Sequence, residues 1–251
     1  MAQQRLDKII ASTGRYSRRE VKTLVREGRV LVDGRIAASA EDKCDPLTAR
    51  ISVNGEELFY REHTYVMLHK PAGVLSATED GRGETVLDLL APEYRKIGLF
   101  PVGRLDKDTE GLLLLTDDGA LAHDLLAPKK HVDKVYFVRT DGALDDADCK
   151  AFVHGITLGD GLECLPAKLE ILKSDAQSEA LITIREGKFH QIKRMLASRG
   201  KPVVYLKRLS MGSLTLDEGL SKGEYRLLTV EEIKNLRESG QFAQGKAGAD
   251  K

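Results

Sequence analysis

Tryptophan is absent from these 251 residues, and Phe and Tyr together make up only 5% of them. Any core must therefore be built from aliphatic side chains. Cysteine is also scarce. Cys44, Cys149 and Cys164 stand far apart and odd in number, which indicates neither a disulfide framework nor a zinc site. No apolar run approaches the ~20 residues of a membrane-spanning helix, and residues 1–5 lack the apolar core of a secretory signal. A cytoplasmic protein that does not associate with membranes is expected. The sequence also has no internal repeat, no phosphate-binding P-loop and no Gly-x-Gly-x-x-Gly dinucleotide fingerprint.

An excess of one charge sign is missing too, with 39 Lys and Arg against 39 Asp and Glu. That balance conceals segregation. Residues 1–35 hold nine basic residues against four acidic ones, and residues 185–208 hold eight against one. Two basic patches on a neutral chain suit a polyanion contacted at two places. The plainer reading is that these residues merely solvate helix faces.

Along the chain, Leu6, Ile9 and Ile10 suggest a first helix that breaks at Gly14. Ser17-Arg18-Arg19-Glu20 then has capping-box spacing and opens a helix with Val21, Leu24 and Val25 on one side. At ~100° per residue, Arg18, Arg19, Lys22, Arg26 and Arg29 gather away from that apolar side. Val30-Leu31-Val32-Asp33-Gly34-Arg35-Ile36 reads as strand, turn and return strand, and residues 50–55 supply another β segment. Two short helices, a basic stripe and a small β unit resemble the S4-type RNA-binding module over residues 4–60. The resemblance implies that this part binds structured RNA, with Arg5, Lys8 and the stripe residues against phosphates. A domain of residues 1–60, a second of 61–238 and a disordered tail of 239–251 are expected.

In the second part, strands are expected at residues 65–68, 135–139, 168–172, 180–184, 203–206 and 214–216. Helices are expected at 85–90, 120–126, 147–154, 191–199 and from Thr229 to about 238. Strands and helices mix without regular βαβ alternation, which favours an α+β fold with a mostly antiparallel mixed sheet.

Chemistry concentrates in Gly103-Arg104-Leu105-Asp106-Lys107-Asp108-Thr109-Glu110-Gly111, a charged loop that runs into Leu112 to Leu115. Three readings compete for Asp106. Acidic residues at 106, 108, 110 and 117 fit part of an EF-hand count, but residues 100–103 cannot be its entering helix. Asp106, Asp108 and Asp118 could share a magnesium ion, but Arg104 and Lys107 would repel it. Asp106 could instead act as a nucleophile. A carboxylate is ionised at neutral pH (reference pKa ~3.9) and needs only restraint and an orienting cation. Lys193, in Arg185-Glu186-Gly187-Lys188-Phe189-His190-Gln191-Ile192-Lys193-Arg194-Met195, is a candidate for that cation.

The segments from Gly103 to Gly119, His69 to Gly73 and Arg185 to Met195 resemble, in order and spacing, the motifs of the RNA pseudouridine synthases. The match spans residues 4–236 and looks most like the subfamily that modifies 16S ribosomal RNA of the small subunit, rather than its large-subunit relatives. The resemblance implies a cofactor-free and metal-free isomerase that turns uridine into pseudouridine. It assigns the catalytic carboxylate to Asp106, base flipping to Arg104, a place against the flipped base to Tyr136 and pairing with Asp106 to Lys193. By its setting alone Tyr136 would be a core residue, and Lys193 a surface one. Lys188, Arg194, Lys201, Lys207 and Arg208 are expected on phosphates. His69, His123, His131 and His190 are expected to be structural or RNA-facing. The implied partner is ribosomal RNA or a small-subunit assembly intermediate, bound by a monomer. A rival of another class is a non-catalytic RNA-binding or ribosome-assembly factor.

Overall fold

In the computed structural model, residues 3–241 are described, and the chain forms two compact units. The first runs to Thr64 and also takes in Leu90–Leu99; the second comprises Tyr65–Leu89 and the chain from Phe100 onward. The division is therefore not a single cut near residue 60.

The first unit begins with strand β1 (Gln4–Arg5) and helix α1 (Leu6–Ala11), followed by α2 (Arg18–Arg26). The Ser17 capping box is present in full: its hydroxyl accepts from the Glu20 N–H, and the Glu20 carboxylate accepts from the Ser17 N–H at 2.6 Å. Strands β2 (Val30–Val32), β3 (Arg35–Ile36), β4 (Lys43–Cys44), β5 (Ile51–Val53) and β6 (Glu56–Leu58) follow. They make an antiparallel sheet in the order β3-β2-β5-β6, while β4 pairs with β1. Leu6, Ile9, Ile10, Val21, Val30, Ile51 and Val53 form its aliphatic core. Helix α3 (Pro92–Ile97) completes the unit. Gly14 must lack a side chain here, because a Cβ would lie 2.1 Å from the Glu93 carbonyl.

The second unit is built on a nine-stranded sheet. Its strands are β7 (Tyr65–Lys70), β8 (Phe100–Pro101), β9 (Glu110–Thr116), β10 (Lys134–Asp141), β11 (Lys168–Lys173), β12 (Gln177–Ile184), β13 (Val203–Met211), β14 (Leu214–Thr215) and β15 (Tyr225–Leu227). Its helices are α4 (Gly119–Leu126), capped by Asp118, α5 (Asp146–His154), α6 (Gln191–Ser198) and α7 (Val230–Gln241). The sheet order is β11-β12-β10-β13-β9-β7-β15, with β14 on β13 and β8 on β9. Every named pair is antiparallel except β13 with β9. The α+β expectation with a mostly antiparallel mixed sheet is thus met.

That parallel pair is a seam between two antiparallel halves, and it is short: Lys207 faces Glu110 and Arg208 faces Gly111. The backbones approach so closely that a Cβ on Gly111 would lie 2.2 Å from the Arg208 carbonyl, and Gly111 has φ +104°. Only glycine fits this position. Beyond the seam, Leu112 to Leu115 are fully buried. The loop carrying Asp106 enters β9 at this rigid point.

Two expectations fail. Residues 85–90 form turns rather than a helix. The Thr85 backbone bridges to Leu75, and the Asp88 carboxylate accepts from both the N–H and the hydroxyl of Thr85. Val86, Leu87 and Leu90 are buried without helical backbone, while Asp88 stays exposed. The expected tail from residue 239 is helical as far as Gln241, as part of α7, and residues 242–251 lie outside the described chain.

Candidate active site

The loop from Arg104 to Thr109 is tied by its backbone, which leaves its side chains available. Lys70 ends β7, a strand whose six residues are all buried, and is itself 0% exposed. Its ammonium donates to the carbonyls of Pro71 (3.0 Å), Asp106 (3.2 Å), Lys107 (3.2 Å) and Thr109 (3.0 Å). Four acceptors share three protons, so the loop wraps around a buried cation. Burial pulls the Lys70 pKa down to about 8, against the opposing pull of Asp108, Asp106 and Glu110. The Ser76 hydroxyl clamps Leu105, donating to its carbonyl and accepting from its N–H.

From this loop the Asp106 carboxylate faces α6. Ile192, Met195 and Leu196 bury one side of that helix, and Lys193 projects from another. Its ammonium lies 3.0 Å from Asp106 Oδ2 and 2.5 Å from Asp108 Oδ1. Burial lowers the Lys193 pKa, but the carboxylates of Asp108 and Asp106 outweigh it and leave the group above its ordinary value. The hydrogen bond from Lys193 holds the Asp108 carboxyl below the usual range. Arg104, Asp106, Tyr136, His190 and Lys193 line one small cleft of ≈ 60 Å³. Tyr136 is 7% exposed, so it is packed as a core residue while also lining the cleft. Arg104 is exposed and has no ion-pair or hydrogen-bond partner among the described residues.

The metal readings of this loop meet specific obstacles. Strand β8, not a helix, precedes it, and Leu112 to Leu115, which an EF-hand count would place among the calcium-binding positions, belong to β9. The Lys193 ammonium lies between Asp106 and Asp108, where a shared cation would have to sit.

Three contributors were not legible as such. Lys70 lies in the His69-to-Gly73 motif, and its one local signal is a lysine at the end of a largely apolar strand. Asp108, considered from the sequence as a metal ligand, is a second carboxylate on Lys193. His190 does belong to a constellation, with Nε2 3.7 Å from Asp106 Oδ1. Beside the site, Glu110 starts β9 and accepts from the Tyr205 hydroxyl and the Lys222 ammonium.

The residues expected on phosphates divide sharply. Arg208 is 2% exposed, and its Nε donates to the Leu112 carbonyl. Its guanidinium is thus buried beside the short β9–β13 pairing, so it is not a surface ligand. Lys188 is engaged by Glu186 and the Glu163 carbonyl. Arg194 pairs with Asp160 at 2.6 Å. Lys201 and Lys207 are half-buried. In the first unit, Lys8, Arg18, Arg19, Lys22, Arg26 and Arg29 are exposed. Arg5, Arg18, Arg19 and Lys22 share one depression with Asp7, which Arg5 neutralises at 2.9 Å.

Residues 64–198 match the RNA pseudouridylate synthase family, and residues 4–46 match the S4 domain. The chain belongs to the RNA pseudouridylate synthase family. It is an isomerase of uridine in RNA. Over 93% of its length it is 50% identical to the uncharacterised RNA pseudouridine synthase YtzG of Bacillus subtilis, of which it covers 98%. It is 40% identical to the ribosomal small subunit pseudouridine synthase A of Vibrio cholerae, covering 92% of this chain and 99% of that one. It is 38% identical to the ribosomal large subunit pseudouridine synthase B of Bacillus subtilis, covering 93% and 96%. A crystal structure of a pseudouridylate synthase superposes with a TM-score of 0.64 at 37% identity, covering 94% of this chain and all of that one. In this pseudouridine synthase, the motif that carries Asp106 and the helix that carries Lys193 lie within the family match.

Proposed function

We propose that this enzyme isomerises a specific uridine in small-subunit ribosomal RNA, with Asp106 as the catalytic carboxylate. The observation that supports the assignment most is the 3.0 Å pair between Asp106 and Lys193 in a cleft shared with Tyr136 and Arg104. The reaction breaks the N1–C1′ glycosidic bond, turns the uracil and joins C5 to C1′; C5 loses a proton and N1 gains one. Nothing is oxidised or hydrolysed overall.

A base inside a helix is out of reach, so the nucleotide must be flipped at a cost of a few kcal/mol. Arg104, exposed and unpaired at the cleft, is suited to take the vacated place. Lys193 orients the carboxylate and balances its charge as the glycosidic bond breaks. Tyr136 lies against the flipped ring and takes the C5 proton. The exposed cations of α2 hold phosphates and supply affinity rather than base choice.

The small-subunit target rests on the motif resemblance and on the relative from Vibrio cholerae. A large-subunit target is the second reading, because the relative that acts there is nearly as similar. The enzyme is proposed to act as a cytoplasmic monomer on rRNA or on an assembly intermediate. A pseudouridine map of ribosomal RNA from cells with and without the protein tests the target. Loss of one 16S site supports the proposal, and loss of a 23S site instead selects the second reading. An unchanged map favours a non-catalytic assembly factor.

A further inference from the structure

One aromatic side chain beside the cleft has no place in the reaction as described. Phe189 is 74% exposed in a chain that has few aromatic residues. One face of its ring is covered by His190, with centroids 3.9 Å apart and planes 16° from parallel. The opposite face is left to solvent. His190 in turn lines the cleft and directs Nε2 toward Asp106. Phe189 therefore lies one stacked ring away from a group beside the catalytic carboxylate.

The local backbone is built to hold this arrangement. His190 has φ 48° and ψ 34°, a left-handed conformation rare outside glycine, in which histidine is among the enriched exceptions. Gln191, 4% exposed, locks the turn from inside: its side-chain oxygen accepts from the Lys188 N–H and its amide donates to Glu186 at 2.6 Å. Glu186 in turn accepts from the Leu165 N–H. An exposed phenylalanine on so firmly tied a turn is presented, not merely tolerated.

The cleft of ≈ 60 Å³ has room for about four waters, which is enough for one small ring and not for the nucleotides on either side. A flipped uridine leaves its neighbours outside, unpaired or half-unstacked. We propose that Phe189, backed by His190, forms a stacking shelf for a base flanking the target uridine. Aromatic faces are how proteins hold splayed RNA bases, and such stacking tolerates any base identity. The Asp106-facing histidine is sandwiched behind the shelf, so occupancy of Phe189 also fixes the ring beside the carboxylate. This inference rests on the chain acting on RNA as described above.

The absence of tryptophan makes the test direct, because Phe189→Trp introduces the only indole. In the full-length protein, emission of this variant is expected to be quenched on titration with 16S or 23S rRNA transcript, with the same midpoint as filter binding. Val153→Trp, at an exposed position on α5, is expected to stay unquenched. In parallel, tritium release from transcript labelled at uridine C5 gives KM and kcat. Phe189→Ala is expected to raise KM about tenfold, with far less change in kcat; Phe189→Trp restores KM and Phe189→Leu does not. The shelf is refuted if Phe189→Ala leaves KM unchanged, if leucine restores KM as well as tryptophan does, or if saturating RNA leaves the emission unaltered. Should the wild type bind transcript without releasing tritium, the catalytic reading fails, while the fluorescence titration still decides the shelf.

Discussion

Arg18 opens α2 and Lys193 sits in the first turn of α6, both in stretches crowded with basic residues. Their surroundings differ completely. On α2, Arg18, Arg19, Lys22 and Arg26 face solvent, and among the described residues only Lys22 of these forms an ion pair, with Glu41 at 3.6 Å. Around α6 nearly every cation is already engaged: Lys193 by Asp106 and Asp108, Arg194 by Asp160, Arg199 by Asp148 and Lys188 by Glu186. Arg208 and Lys70 are buried outright. A count of basic residues treats the two regions alike. Physically, one offers free charge to a polyanion, and the other spends its charge holding a loop and a carboxylate in place. The first should govern salt-dependent affinity and the second the chemical step.

The sharpest way to break this division is at the carboxylate. Asp106→Asn keeps the side chain's shape and removes its charge. It is expected to lower kcat by roughly 10⁴-fold or more and to leave RNA binding within about twofold, measured by tritium release and filter binding. Appreciable conversion by the variant would remove Asp106 from the mechanism. Lys193→Met should come next, at about 10³-fold in kcat, because it leaves the Asp106 and Asp108 carboxylates without the cation they share. The slope of binding against salt should stay unchanged. A shallower slope would mean that Lys193 contacts phosphate and belongs with the α2 group.

Much of this arrangement was legible before any coordinates. The Ser17 capping box, the leucine strand, the Asp106 motif and the Lys193 helix all follow from local patterns, because each is decided by neighbours in sequence. What was not legible depends on distant partners. Arg208 looks like a surface arginine until the pairing of β13 with β9 brings it to the Leu112 carbonyl. Asp160 and Arg194 are far apart in sequence, so their ion pair left no local trace. Residues 85–90 have helical spacing, but the bridge from Thr85 to Leu75 and the Thr85–Asp88 interaction overrode it. Lys70 reads as the end of a strand, and only the folded loop shows four carbonyls converging on it.

Lys70 tests whether a buried cation acts through geometry alone. Lys70→Met removes the ammonium and strands four carbonyls, and kcat is expected to fall about 10²-fold through displacement of Asp106. The pH dependence carries a distinctive sign. The folded protein releases this proton near pH 8, whereas the ordinary lysine value is 10.5. Between those values the unfolded chain binds more protons, so the contribution of this group to stability rises with pH. The loop meanwhile loses its charged anchor. Wild-type kcat should therefore decline above about pH 8 while urea stability attributable to Lys70 does not, and the decline should be missing from Lys70→Met. Parallel losses of kcat and stability over that window would point to general unfolding instead.

The α2 group should show the opposite pattern. Replacing Arg18, Arg19 and Lys22 together by alanine is expected to raise KM about tenfold at moderate salt and to reduce the salt slope of binding by about 2. The three side chains are exposed, so little stability should be lost. A change confined to kcat would overturn the assignment of affinity to this unit.

The smallest effect is the most discriminating, because it concerns a cation that sequence alone would place among the RNA ligands. Arg194 is held by Asp160 at 2.6 Å with its side chain only 28% exposed. If the pair persists on RNA, Arg194→Ala should change KM by less than about twofold and leave the salt slope where it was. A single Arg18→Ala should remove about 0.7 to 0.9 from that slope. Asp160→Ala then sharpens the comparison from the other side, since it frees an arginine one residue from Lys193. That variant should bind RNA more tightly at low salt and gain slope, as one more cation becomes available to phosphate. Equal slope losses from Arg194→Ala and Arg18→Ala would show instead that RNA opens the Asp160 pair. The engaged cations around α6 would then be a reserve for binding, and the contrast between the two regions would describe only the unbound enzyme.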